Sequence, residues 1–152
     1  MPSELTVRPV EPRDFEAWKP LWDGYNAGRG VAVAMPAVLT NTTWARFLDA
    51  SEPMHSLVAP DSGRLLGFAH YLFHRSTAMI EPNCLLQDLF TVEGARGRGV
   101  GRALIEAVAE RASAAGATRL YWMTRESNTA AMRLYDLVAA KSGFVVYRRD
   151  LV

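Results

Sequence analysis

The chain has 152 residues, of which 49% are hydrophobic and 22% charged, with a formal net charge of +1. That length suits one domain, residues 1–152, and the composition argues against disorder, while near-neutrality argues against general nucleic-acid binding. One cysteine, Cys84, excludes an internal disulfide framework and a multi-cysteine zinc site; with no leader-like start or membrane-length apolar run, a cytoplasmic setting is expected.

Leu5 to Val10 alternates as a short strand, with Pro9 near its exit. Pro12, Arg13 and Asp14 suit a helix start, and Phe15, Trp18, Leu21, Trp22 and Tyr25 follow at helical spacing, with Pro20 expected to kink or restart the segment. Asn26 to Leu39 reads as a loop, apolar enough at Val31, Val33, Met35 and Val38 either to fold over a ligand or to pack as a plain connector. Asn41, Thr42 and Thr43 offer the cap of a second helix carrying Trp44, Phe47 and Leu48. His55 to Ala59 and Leu65 to Phe73 form a hairpin around Pro60-Asp61-Ser62-Gly63. His70 and His74 share a strand face, which either meets a substrate or is half-exposed sheet surface; no third metal ligand stands at suitable spacing. Arg75 to Asn83 reads as a polar connection.

Leu85 to Ala115 is the organising stretch. Leu85, Leu86, Leu89, Phe90 and Val92 read as a buried strand, Glu93 to Gly101 as a tight loop, and Val100, Leu104, Ala107, Val108, Ala112 and Ala115 as a helix face. Glycines let backbone N–H groups converge on an anion, the helix start adds unpaired donors, and Arg96, Arg98 and Arg102 add charge. A P-loop needs Lys-Ser/Thr after its last glycine, but Arg102-Ala103 follow Gly101. A dinucleotide fingerprint needs an acidic residue about twenty positions on, where Tyr121, Trp122 and Met123 stand. A glycine turn that merely joins strand to helix is the bland alternative. Downstream, Gly116 is a C-cap candidate and Arg119 to Thr124 an aromatic strand. Ser127-Asn128 caps a helix striped by Ala131, Leu134, Tyr135 and Val138, ended by Ser142-Gly143, and Phe144 to Leu151 reads as a last strand. Strands alternating with helices imply an α/β or α+β layered sheet.

Arg96-Gly97-Arg98-Gly99-Val100-Gly101 resembles the pyrophosphate loop of the GNAT N-acetyltransferase superfamily, Gln/Arg-x-x-Gly-x-Gly/Ala. Asn128 to Tyr135 followed by Gly143-Phe144 resembles its Asn…Ala…Leu-Tyr…Gly-Phe signature, although Tyr135 and Gly143 stand eight apart rather than about four. LLQDLFTV resembles the corresponding strand of spermidine/spermine N-acetyltransferases, and EPMHSLVA, GFAHYLFHRST and LYDLVAAKSGFVVYRRDL are most similar to the histone/polyamine acetyltransferase subgroup. This resemblance implies a mixed, mostly antiparallel sheet flanked by about four helices, with strands splayed at an acyl-CoA site. It implies acetyl-CoA as co-substrate and direct transfer of its acetyl group to a primary amine: a polyamine, an amino acid, a small amine or a lysine of a basic peptide. Another acyl transferase of this fold and a non-catalytic acyl-CoA-binding module are the alternatives.

Carried over by position, the loop and helix start Arg96, Gly97, Arg98, Gly99, Val100, Gly101, Arg102 and Ala103 hold the pyrophosphate, and Leu89, Phe90, Thr91 and Val92 pair with the pantetheine arm. A bulge freeing the N–H of Leu89 or Phe90 supplies the oxyanion donor. An alkyl amine with a pKa near ~10 must lose a proton before attack, and Asp88 and Glu126 are the candidate bases, directly or through water. Gln87 stands where related enzymes carry a glutamate and cannot take a proton. Tyr135 is the candidate acid for the leaving thiolate, Asn128 a cofactor-orienting residue or an ordinary cap, and Cys84 an inert buried thiol. One strand after Gly143-Phe144, where many relatives have two, leaves an edge for a homodimer partner.

Overall fold

The structure, a computed structural model, describes residues 4–30 and 35–152. It divides into two compact units, Met1–Trp122 and Met123–Val152. In the first unit, five strands lie in the order β1 (Arg8–Pro9), β2 (Met54–Asp61), β3 (Arg64–Ser76), β4 (Met79–Thr91) and β5 (Arg119–Tyr121). All neighbours are antiparallel except β4 and β5, which are parallel and joined through α3 (Val100–Ala114).

Side chains alternate across β3, so Phe68 and His70 face α1 (Phe15–Gly28) and α2 (Ala37–Phe47), while Gly67 and Tyr71 face α3. On the α1 side Trp18, Trp22, Trp44 and Phe68 form a buried aromatic core with Trp18 and Trp22 stacked at 5.5 Å. Deleting an indole such as that of Trp18, which is fully buried, costs about 3–5 kcal/mol. On the other side Leu104 and Val108 of α3 pack on the sheet, and close approach there demands Gly67: a Cβ would stand 2.4 Å from the Phe90 carbonyl oxygen.

Several boundaries differ from the sequence expectations. The first strand is only Arg8–Pro9, and a 3-10 turn at Pro12–Asp14 precedes α1. That entry is pinned by Arg8, whose guanidinium bridges both oxygens of Asp14 at 2.7 and 2.9 Å. α1 runs through Pro20 without restarting, because proline deletes only one backbone bond and the stacked tryptophans hold both halves. α1 extends to Gly28 and α2 begins at Ala37, so the expected Asn26 to Leu39 loop is short; Val31 and Val33 lie outside the described residues. Asn41 to Thr43 are inside α2, not at its cap: Thr42 Oγ1 donates back to the Val38 carbonyl at 2.6 Å.

The β2–β3 turn is tighter than expected, with Ser62 (φ 50°) and Gly63 (φ 81°) as its two turn residues. Arg75 to Asn83 is not a connection: β3 runs to Ser76, β4 starts at Met79, and Pro82 is accommodated where the ladder shifts register. α3 ends as anticipated, with Gly116 at φ 90° and N–H bonds from Gly116 to Ser113 and from Ala117 to Ala112.

The second unit contains α4 (Thr129–Val138), whose half-buried positions include Ala131, Leu134, Tyr135 and Val138. It ends at Val138, before Ser142-Gly143. The expected strand from Phe144 to Leu151 does not form: a strand exists only where its backbone groups bond to a neighbour, and this segment has no assigned ladder and leaves Phe144, Val145, Val146 and Tyr147 exposed.

Candidate active site

The site begins with an interruption in β4. His70 pairs with Asp88 and Tyr71 with Leu86, so Gln87 is an extra residue, a β-bulge. The bulge resets the alternation of β4. Leu86 is buried opposite Tyr71, and Asp88 is turned to the α1 side opposite His70. The expected bulge is therefore real but earlier in the strand than proposed, since Leu89 and Phe90 stay in register with Ala69 and Phe68.

Asp88 is only 7% exposed and is held by two donors. Tyr25 O–H donates to Oδ1 at 2.9 Å, and the His70 ring meets Oδ2 at 3.0 Å through Nδ1. The other ring nitrogen, Nε2, receives the Trp18 indole N–H at 3.0 Å. An indole only donates, so Nε2 must be the bare acceptor and Nδ1 must carry the proton that reaches Asp88. Burial, partly opposed by Asp88, holds the His70 imidazolium form below its usual range, in accord with this neutral tautomer. His70 is thus not on a half-exposed face.

Beside Asp88 lies a cavity of about 210 Å³ between α1, α2 and the sheet, walled by Trp22, Asn26, Phe47, His70 and Gln87, with Arg29 also in the lining. The Arg29 guanidinium stands 3.8 Å from Asp88 Oδ1 and lies 5.2 Å from the Tyr25 ring centroid. Trp18, Tyr25, Asn26, Arg29 and the role of His70 were missed by sequence reasoning. A polar Asn26 four residues after Trp22 on an apolar helix face was the available signal. His74, the second strand histidine, bonds Tyr121 O–H through Nε2 at 2.7 Å and donates from Nδ1 to the Arg75 carbonyl. No group of three potential metal ligands occurs among the described residues.

After β4 the chain enters the glycine loop. Gly97 and Gly99 both hold φ 82°, a region that side-chain-bearing residues rarely adopt. Gly99 is the residue before α3, and Ala103 is the first N–H to bond back, to the Gly99 carbonyl at 3.0 Å. The N–H groups of Val100, Gly101 and Arg102 therefore have no intrahelical acceptor, and Arg96, Arg98 and Arg102 are exposed around them. This combination suits a multiply charged anion such as a diphosphate. Arg98 also approaches Asp61 at 3.8 Å. Leu89, Phe90, Thr91 and Val92 are half-buried on the final stretch of β4 and beyond; the β4–β5 ladder stops at Leu85–Tyr121, so β5 does not pair with them.

Glu126, Asn128 and Tyr135 belong to the other compact unit. Glu126 is exposed in the turn before α4, and Asn128 precedes the helix without a side-chain cap, its Nδ2 reaching Thr124 Oγ1 at 3.4 Å. Burial raises the Tyr135 hydroxyl above its usual range, so it keeps its proton at neutral pH. Burial likewise pushes the Cys84 thiol up to about 11, the protonated and unreactive form.

A profile of the acetyltransferase (GNAT) family matches residues 18–138. The chain is 39% identical over 150 residues to the D-amino-acid N-acetyltransferase HPA3 of Saccharomyces cerevisiae, covering 97% of this chain and 92% of that protein. It is 28% identical to the uncharacterized N-acetyltransferase YhfO of Bacillus subtilis, over 94% of this chain and 95% of the relative. Among solved structures, the fold matches AAC(6')-Iy in complex with a CoA-linked bisubstrate analogue at a TM-score of 0.84 and 21% identity, covering 99% and 100% of the two chains. It also matches a ribosomal-protein-alanine N-acetyltransferase from Brucella melitensis biovar Abortus 2308 at 0.77 and 19%, covering 96% and 99%. The bulged strand, the glycine loop opening α3 and these likenesses agree: the chain belongs to the GNAT family and is an acetyl-CoA-dependent N-acetyltransferase.

Proposed function

We propose that this enzyme acetylates the primary amine of a small acceptor, a free amino acid before a polyamine or a peptide lysine, with Asp88 as base and Tyr135 as acid. The observation that carries the reading is the Asp88 carboxylate, fixed by His70 and Tyr25 in the wall of a cavity of about 210 Å³. The name of the yeast relative supports the amino-acid class. The acyl-CoA pyrophosphate would be held by the N–H groups and arginines of residues 96–103, and the pantetheine arm by the backbone of Leu89 to Val92. Thioester activation is what acetyl-CoA supplies.

Asp88 takes the proton of the acceptor ammonium, directly or through one water, which frees the nitrogen lone pair. The nitrogen attacks the thioester carbonyl carbon to give a tetrahedral adduct. As it collapses the C–S bond breaks, the thiolate takes the Tyr135 proton, and the second nitrogen proton passes through water to the Tyr135 phenolate, which leaves a neutral amide. The raised pKa of Tyr135 keeps its proton available at neutral pH. Glu126 is the weaker base candidate, being exposed to water. Asn128 orients the cofactor end of α4. The family match spans both compact units, which supports one functional domain over residues 1–152. The free, buried Cys84 suits a cytoplasmic setting, and no helix among the described residues is long and apolar enough to cross a membrane. The exposed run Phe144 to Tyr147 supports a homodimer in which a second copy covers it.

The test is thiol release from acetyl-CoA with a panel of amino acids, polyamines and lysine peptides. Turnover with amino acids is expected. Saturable cofactor binding with no turnover on any amine would overturn the reading.

A further inference from the structure

Asn26, in the lining of the cavity beside Asp88, carries one acceptor atom that the fold leaves unused. Asn26 is 2% exposed, and its Nδ2 donates to the Trp22 carbonyl at 2.8 Å, yet its Oδ1 has no hydrogen-bond partner. A buried amide oxygen without a donor is costly, so such an atom in a cavity wall points to a ligand N–H. The charges lining the cavity are equally specific. Asp88 and Arg29 are its only acidic and basic residues among the described lining, and His70 is neutral, so the pocket balances one negative charge with one positive. Their charged groups stand 3.8 Å apart, and the Arg29 side chain is 52% exposed at the mouth while that of Asp88 is 8% exposed. The remaining wall is largely apolar, including Met35, Leu39, Phe47 and Met54.

The geometry points to recognition of a zwitterion: Asn26 Oδ1 and Asp88 receive the α-ammonium of a free amino acid, Arg29 pairs with its α-carboxylate, and the apolar wall takes its side chain. This rests on the proposed transfer to a small amine and names the groups that select it. A polyamine carries several cations and would meet only one carboxylate here, with an arginine opposing it. An amine without a carboxylate would leave Arg29 unused as a binding group. A guanidinium fork matches a carboxylate with two parallel hydrogen bonds, which gives direction as well as attraction.

The experiment compares kcat/KM for apolar amino acids of both hands, their primary amides, the corresponding decarboxylated amines, and spermidine. The wild-type enzyme should prefer the amino acid to its amide and amine by roughly ten- to hundred-fold. Arg29→Met should abolish most of that preference by raising KM for the amino acid, and Arg29→Lys should restore part of it. Asn26→Ala should raise KM for amino acid and amide alike, since it reads the ammonium; a melting curve separates this from loss of fold. Equal kcat/KM for amino acid and amide, or preference for spermidine, would overturn zwitterion recognition while leaving amine acetylation standing. Turnover of none of these compounds, with acetyl-CoA still bound, would overturn both readings.

Discussion

The indole N–H of Trp18 donates to Nε2 of His70 across a separation of 52 residues, and this contact decides which proton His70 offers to Asp88. With Nε2 occupied by a pure donor, the imidazole serves as a fixed Nδ1–H donor and not as a base. His70→Asn places an amide N–H close to the Nδ1 position, whereas His70→Gln places its amide near Nε2. At saturating substrates, His70→Asn should retain at least about tenfold more turnover than His70→Gln, because only the former can hold Asp88. Equal losses in two comparably folded variants would show that the ring merely fills space.

Tyr135→Phe removes a proton source and little volume. We expect kcat to fall by about a hundredfold, with the melting temperature changed much less. Unchanged turnover at saturating acetyl-CoA and amine would refute the acid role.

At the loop, Gly99→Val forces a β-branched residue into φ 82°, and Arg96→Ala deletes one charged donor. Together they should raise the KM for acetyl-CoA by tenfold or more, since charge-assisted bonds contribute about 1.5–3 kcal/mol each. The KM for the amine should move little. Unaltered acetyl-CoA affinity in the double variant would refute the pyrophosphate assignment.

Acid should destabilise the fold in two distinct windows. His70 has a folded pKa lowered by burial, so as pH falls through the unfolded value near ~6.5 the unfolded chain binds a proton that the native one refuses. Stability then drops with falling pH. His55, also lowered by burial, adds to the same trend. Asp14, lowered chiefly by its Arg8 hydrogen bond, contributes stability that is present above about pH 4 and lost as pH falls further. Melting temperature should therefore decline between pH 7 and 5, and His70→Asn should flatten that decline. A melting temperature independent of pH over this range would contradict a buried neutral His70.

Light scattering should give a dimer at micromolar concentration, and Phe144→Asp with Tyr147→Asp should shift it toward monomer. A wild-type monomer under these conditions would count against the homodimer.

The glycine loop and the helix it opens were legible in the primary structure because their conformation is local. Alternate glycines, flanking arginines and a following helical stripe are contiguous from Arg96 to Ala115, and φ > 0 at Gly97 and Gly99 is a property of the residues themselves. The same locality made α4 and the Gly116 cap readable. The surroundings of Asp88 were not legible. Asp88 gains its neighbours only when a one-residue bulge at Gln87 turns it toward α1, and a bulge leaves no residue signature of its own. His70 then meets it from β3, 18 residues away, while Trp18, Tyr25, Asn26 and Arg29 approach from α1 and its end, 59 to 70 residues away. Composition also could not say that Phe144 to Leu151 remains unpaired, because whether a β-competent segment becomes a strand depends on a neighbour's free edge. The sequence by itself determined a glycine-rich loop between strand and helix; only tertiary packing decided which carboxylate, which histidine tautomer and which buried amide come together at the cavity beside α1, since those depend on register across the sheet.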